Sequence, residues 1–386
     1  MICETLDKDV MARLRTATCV IAISIFLAVV PAFGQHVHQL SYNGSAWADQ
    51  NLGGGQAYVF SQIASILTTP NDQEHVYYFA GPPWHIHQLF FNGTNWSDED
   101  LTAETGAPEA DQYPVSAFSV GNYQYVFYCD VNNDLHQLLY NNSDWTDTDL
   151  TKIVGGPQAG QQLVAFTTSP AIHVFYTDLN SGHIHQTFNT NGTNWQDQDL
   201  TVITGGAPQG GNGVTGFHIG NFQYLYFFDF SGHVHQYLYN NSNWSDEDLT
   251  ALTHSIPSVL GNNVAAFVPP GSKKLLVYVQ AENNHILQLA STNNVGWTST
   301  DLTSKTKTPP AFPGTSMAGF YAASTGLQVN YMTGLAHLDQ FVLAPHATAW
   351  QNIDLTAESG STGVTPYGGI SVLSLQNLPL VFYLGD

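Results

Sequence analysis

His85-Ile86-His87-Gln88-Leu89, followed after a polar turn by Trp96-Ser97-Asp98-Glu99-Asp100-Leu101-Thr102, is one copy of a motif that occurs seven times along the chain. Its tryptophans, Trp47, Trp96, Trp145, Trp195, Trp244, Trp297 and Trp350, are spaced by 49, 49, 50, 49, 53 and 53 residues. A period near fifty residues, Gly-rich and strand-like, matches a propeller blade of four antiparallel strands better than a helical solenoid. One unit parses into runs at residues 115–120, 123–129, 136–140 and 145–151, with alternating aromatic and β-branched positions and Asn- or Gly-containing turns between them. No stretch competes with a helical period. The expected fold is all-β, a seven-bladed β-propeller of four-stranded antiparallel blades.

The motif also says how the ring closes. The repeat begins with the third and fourth strands of a unit, at residues 36–42 and 47–52, and the chain ends with a first and second, at 369–375 and 378–384. These halves complement each other, so the two ends are expected to share one blade as a two-plus-two clasp that leaves no open sheet edge at the seam.

Ahead of the repeat, Arg13 and Arg15 precede an apolar run over residues 17–30, then Pro31-Ala32-Phe33-Gly34. This reads as a signal peptide over residues 1–34, cleaved near Gly34, with Met11 an alternative start. A single propeller domain over residues 35–386, secreted or periplasmic, is expected to follow. Nothing in it approaches twenty apolar residues, so membrane insertion is not expected. Cys3 and Cys19 leave with the leader, Cys129 stands alone, and stability must come from packing. From Gln35 onward the chain has no arginine, five lysines and 27 carboxylates. That balance disfavours nucleic acid and anionic membranes and leaves neutral partners or cations.

A two-residue turn at Asn92-Gly93 would set His87 opposite Asp98, His85 opposite Asp100 and Leu89 opposite Trp96, all on one face of the hairpin. The same arithmetic pairs His38 with Asp49, His136 with Asp147 and His235 with Asp246, and a turn one residue longer pairs His185 with Asp197. Each of these five blades then carries a Trp and two polar rungs, mostly His facing Asp. In the last two units the inner His becomes Leu287 and Asp339 while the inner Asp becomes Ser299 and Asn352, so both members change together. The outer rung survives there as His285 with Asp301 and His337 with Asp354, and a Gln recurs in all seven units at 39, 88, 137, 186, 236, 288 and 340. Gln and the outer rung read as scaffold, the inner pair as a candidate site. Blade one has Asn51 for the outer Asp, and blade three sets Asp134 against Asp149. Trp84 falls in a loop outside the repeat.

The inner rung can be a polyol site, the indole offering a face to sugar C–H groups while imidazole and carboxylate bond hydroxyls; the bland alternative is mutual satisfaction between packed blades. Repetition of such sites on a rigid ring favours multivalent glycan binding through avidity. A propeller enzyme such as a glycoside hydrolase is the competing class, but the carboxylates are equivalent and no singular catalytic pair stands out. Sialidase chemistry calls for arginine. The His-x-His spacing could aim two imidazoles at one ion, with a carboxylate orienting a ligating His, but each His already faces a carboxylate; no metal or cofactor is assigned. A structural or protein-interaction propeller completes the alternatives.

The motif as quoted resembles repeats of bacterial seven-bladed propeller lectins of the fucose-binding kind and, more distantly, the fungal fucose-specific lectin family. The resemblance spans residues 36–386 and implies glycan binding in pockets between neighbouring blades, with tryptophan against the sugar. In the fungal family an arginine is a main sugar contact, and no arginine here matches it. Only the Trp-lined site carries over, onto Trp47, Trp96, Trp145, Trp195 and Trp244. The accompanying His–Asp set is His38, His87, His136, His185 and His235 with Asp49, Asp98, Asp147, Asp197 and Asp246. Partners are expected to be glycans or glycoconjugates.

Overall fold

The computed structural model describes residues 35–385 apart from 59, 191–193, 259–262, 362 and 366. The expected leader lies outside the described residues. Strands alternate in hydrophobicity and are joined by tight turns, so each unit folds back on itself into a four-stranded antiparallel sheet, and seven such sheets form. The blade containing both ends has the order Trp47–Asn51, His36–Tyr42, Leu378–Gly385, Ile370–Leu375. This is the two-plus-two clasp: His38 pairs with Tyr383 and Leu40 with Val381 across the seam.

The core lies between blades. In each of five described ring pairs, a motif Trp meets edge-on an aromatic ring on the second strand of the preceding blade: Trp96 on Phe382, Trp145 on Tyr77, Trp244 on Phe175, Trp297 on Tyr226 and Trp350 on Tyr278. Trp47 and Trp195 pack against the corresponding apolar clusters. The recurrent Gln is buried in every blade, and in blades one, two and four it ties neighbouring sheets together. Gln39 donates to Glu74 of the next blade at 2.6 Å, and Gln88 and Gln186 donate to Gln124 and Gln223 of theirs at 3.0 Å. Scaffold was the role expected of it, and a buried amide requires such partners.

Two local expectations are corrected. The hairpin register differs by two residues from the expected one: His87 lies opposite Asp100, Leu89 opposite Asp98 and Phe91 opposite Trp96. Asn92 causes the shift, its side-chain Oδ1 accepting from Thr94 and Asn95 N–H at 2.9 Å and closing a four-residue turn. The same Asn-centred turn stands at Asn43, Asn141 and Asn240. A shift of two keeps every side chain on its expected face.

The fourth strand is also shorter than expected, because Asp-Leu-Thr opens a one-turn helix. Six occur among the described residues, beginning with Leu101–Thr105 and Leu150–Val154. The outer Asp caps each one; Asp100 accepts from Ala103 N–H at 2.9 Å. The Leu is fully buried in all six, and removing such a side chain from water stabilises by about 1.5–3 kcal/mol. The Thr hydroxyl accepts an N–H at the start of the third strand, as Thr102 does from Ile86 at 2.9 Å. Each letter of the motif's last three thus has a separate structural job.

Candidate functional site

Although the backbone register is offset, the expected side-chain pairs all form, reaching diagonally across the hairpin. The inner contacts are His38 to Asp49 at 3.1 Å, His87 to Asp98 at 3.0 Å, His136 to Asp147 at 3.0 Å, His185 to Asp197 at 2.7 Å and His235 to Asp246 at 2.9 Å. In every case the imidazole atom is Nδ1, so that nitrogen carries the proton toward the carboxylate and Nε2 is left to face elsewhere.

A third member was not legible from the pairing argument. A tyrosine on the second strand donates to the inner carboxylate: Tyr78 to Asp98 at 2.8 Å, Tyr176 to Asp197 at 2.9 Å and Tyr383 to Asp49 at 2.9 Å. In blades two to four a Tyr stands eight or nine residues before the inner His, a spacing that could have flagged it. In blade seven the partners are exchanged without loss of the network: Asn352 accepts from Tyr331 and donates to Asp339 at 2.6 Å. That contact explains why the two positions change together.

Accessibility runs opposite to the roles expected. Inner His side chains are 5–15% exposed, whereas outer ones are 21–37% exposed. The linker from the preceding blade covers the inner rung closely; a Cβ on Gly206 would stand 2.7 Å from Asp246 Oδ2. Much of the inner rung is therefore packing, on the strand face that also carries the motif Trp, half-buried in blades one, two, four and five and buried in blade three. The outer rung is scaffold, as expected, yet the more open of the two. Its contacts measure 2.6–2.7 Å from His85, His183, His233, His285 and His337 to Asp100, Asp199, Asp248, Asp301 and Asp354.

Charge differs from blade to blade. In blades three and five the free Nε2 of the inner His faces another carboxylate at the end of the second strand: His136 to Asp130 at 3.9 Å and His235 to Asp229 at 3.6 Å. Burial opposes charging of His136, His185 and His235, but the bonded inner Asp and the surrounding carboxylates hold all three above the ordinary imidazole range. Blade two has Ala80 where those blades have Asp130, Asp178 and Asp229. Beside Ala80 a cleft of about 360 Å³ opens between the linker at residues 55–56, the loop at 80–83, and His85, His87 and Asp100. In blade one, where Asn51 replaces the outer Asp, buried His38 Nε2 and His36 Nδ1 have no hydrogen-bond partner among the described residues.

The remaining features take structural places. Trp84 is half-buried, edge-on to Tyr58 at 4.7 Å. Asp134 is held by neighbouring structure, its N–H donating to Asp130; desolvation and the charges of Asp130 and Asp149 push its carboxyl upward. Cys129 is buried, and burial pushes its thiol up, away from reactivity.

No family model matches the chain, and no curated protein matches it. Solved structures do. BP39L lectin from Burkholderia pseudomallei superposes with a TM-score of 0.56 at 14% identity, covering 76% of this chain and 83% of that one. Aleuria aurantia lectin, a fungal lectin described as a six-bladed β-propeller with a novel fucose recognition mode, matches with a TM-score of 0.53 at 17% identity, covering 78% and 96%. SapL1 lectin, solved in complex with alpha methyl fucoside, matches with a TM-score of 0.51 at 15% identity, covering 78% and 97%. At these identities the likeness is one of fold.

Proposed function

We propose that this chain is an exported, non-catalytic lectin that binds neutral sugars at repeated sites between blades. The observation that carries the reading is the fivefold recurrence, in blades one to five, of a His–Asp pair on the same strand face as a Trp at a blade boundary, the Trp half-buried in four of them and buried, as Trp145, in blade three. Indole faces suit sugar C–H surfaces, and paired acceptors and donors suit hydroxyls. The absence of arginine after Gln35 turns the reading away from acidic sugars, and the fold likeness to fucoside-binding lectins makes fucosides the first ligands to try. Several weak sites on one rigid ring would act by avidity on a surface bearing many copies of the ligand. The residues from Gln35 are proposed to work outside the cytoplasm, after removal of the leader.

A glycan array probed with purified protein tests the reading. Binding is expected to neutral glycans at multivalent density, and its absence there would overturn the proposal. Asp98→Ala and Asp147→Ala, alone and together, should then lower avidity in steps. Unchanged avidity in folded variants would return the inner rung to packing alone.

A further inference from the structure

The structure assigns a second kind of site to blade two: we propose that His85, His87 and Asp100 bind a divalent transition-metal ion of the zinc class. The proposal goes beyond sugar recognition and stands or falls independently of it.

Among the described residues, these three side chains form a metal-competent set, each offering a ligand atom within 4.8 Å of the others. Asp100 Oδ2 stands 2.7 Å from His85 Nδ1 and 3.8 Å from His87 Nε2. Ligands about 2.0–2.1 Å from a tetrahedral ion lie roughly 3.3 Å apart, so small rotations of the three side chains would seat one. Two imidazoles and one carboxylate form a donor set that suits zinc better than calcium or magnesium, which take mainly oxygen ligands.

The surroundings orient the ligands. His87 Nδ1 is committed to Asp98, Asp98 accepts from Tyr78, and Tyr78 in turn accepts from Gly55 N–H at 2.8 Å. That chain directs the Nε2 lone pair of His87 toward Asp100, in the carboxylate–histidine–metal arrangement that fixes tautomer and ring plane. Asp100 Oδ1 is occupied by the helix cap, so the ion would take Oδ2, with His85 exchanging its present 2.7 Å hydrogen bond to that oxygen for coordination. All three residues line the cleft, so further coordination positions open to water.

Blade four repeats the two contacts, with Asp199 Oδ2 2.7 Å from His183 Nδ1 and 3.7 Å from His185 Nε2, but adds the charge of Asp178 at His185, and blades three and five turn the inner imidazole toward the strand-end carboxylate. Blades three to five carry Asp130, Asp178 and Asp229 at the end of the second strand, which add to the inner Asp in raising their inner histidines above the ordinary imidazole range, so a metal ion there would compete with a more tightly held proton. Ala80 removes that carboxylate from blade two.

Tag-free protein stripped with a chelator and titrated with Zn²⁺ against a chromophoric competitor should take up one ion per chain. His87→Gln should bind at least about tenfold more weakly. His183→Ala, altering the blade-four counterpart of His85, should bind like the wild type. X-ray absorption on the loaded wild type should show two imidazoles among nitrogen and oxygen ligands near 2.0–2.1 Å. Lack of saturable uptake by the wild type, uptake unchanged in His87→Gln, equal loss in His183→Ala, or a spectrum without imidazole scattering would each overturn the assignment. Should His87→Gln fail to fold, the wild-type spectrum decides.

Discussion

Blades two and four carry the same two His–Asp rungs and the same tyrosine on the inner carboxylate, and in both the outer Asp also faces the inner imidazole, at 3.8 and 3.7 Å; in blade two this set borders a cleft. The difference begins at the end of the second strand. Blade four has Asp178, which organises the following turn by accepting from Asn180 N–H at 3.0 Å and from Ser181, and which adds negative potential at His185. Blade two has Ala80 and a Gly-Pro-Pro loop. One carboxylate fewer therefore stands around the inner imidazole of blade two than around that of blade four. A repeat can keep its fold while one position changes the chemistry of a rung.

The largest effect should come from removing the inner carboxylates. Asp197 accepts from Tyr176, His185 and Thr187, whereas Asp98 accepts from Tyr78 and His87 and is more exposed, at 27% against 12%. Leaving buried polar groups unpaired costs about 1–3 kcal/mol each, so Asp197→Ala should cost about 3 kcal/mol and Asp98→Ala about 2 kcal/mol in urea unfolding. The reverse order would break the comparison.

A smaller effect tests the charge difference directly. Asp178→Ala should cost about 1 kcal/mol through its turn and should lower the His185 pKa, followed by NMR, by part of its upward shift, since the bonded Asp197 and then Asp199 contribute more. The raised pKa values of His136, His185 and His235 mean that the folded state holds protons the unfolded chain releases. Their stabilisation is full below the unfolded imidazole pKa and is lost as pH rises through the folded values. An unshifted His185 in Asp178→Ala would remove the strand-end carboxylate from the causes of the shift.

Blade seven extends the test to a rung without histidine. Burial pushes Asp339 up to about 6, with Asp354 adding to the shift against the hydrogen bond from Asn352. Between about pH 4 and 6 the folded state keeps a proton that the unfolded chain releases, so this group makes stability fall as pH rises. Asp339→Asn should flatten that dependence and stabilise at pH 7.5 by on the order of 1 kcal/mol after allowance for screening. His75 and His173, lowered to about 4 by burial, act in the opposite sense, adding stability as pH rises from about 4 to 6.5. Thermal unfolding of wild type and variant across pH 4–8 separates the contributions.

Much of this architecture was readable because propeller blades repeat their contacts. The seven-tryptophan period marks the blades, since each Trp packs on the preceding one. The complementary halves at the two ends mark the clasp. The joint change at Leu287 and Ser299, and at Asp339 and Asn352, revealed a physical pair before the pair could be seen. The one-turn helices escaped because five residues are too few to show a period. Their signal lay in the caps, with Asp100 and Gly106, Asp149 and Gly155, Asp199 and Gly205, and Asp354 and Gly360 at one constant spacing.

The sequence by itself determined the blade count, the seam, the face each side chain occupies and the identity of the His–Asp partners, because these follow from periodicity and parity. Only the tertiary structure decided how open each rung is, through linkers from neighbouring blades that lie over the inner pair and leave the outer one accessible. It also decided that an alanine in blade two matters, because a missing carboxylate acquires chemical meaning only once the groups it would have faced are known.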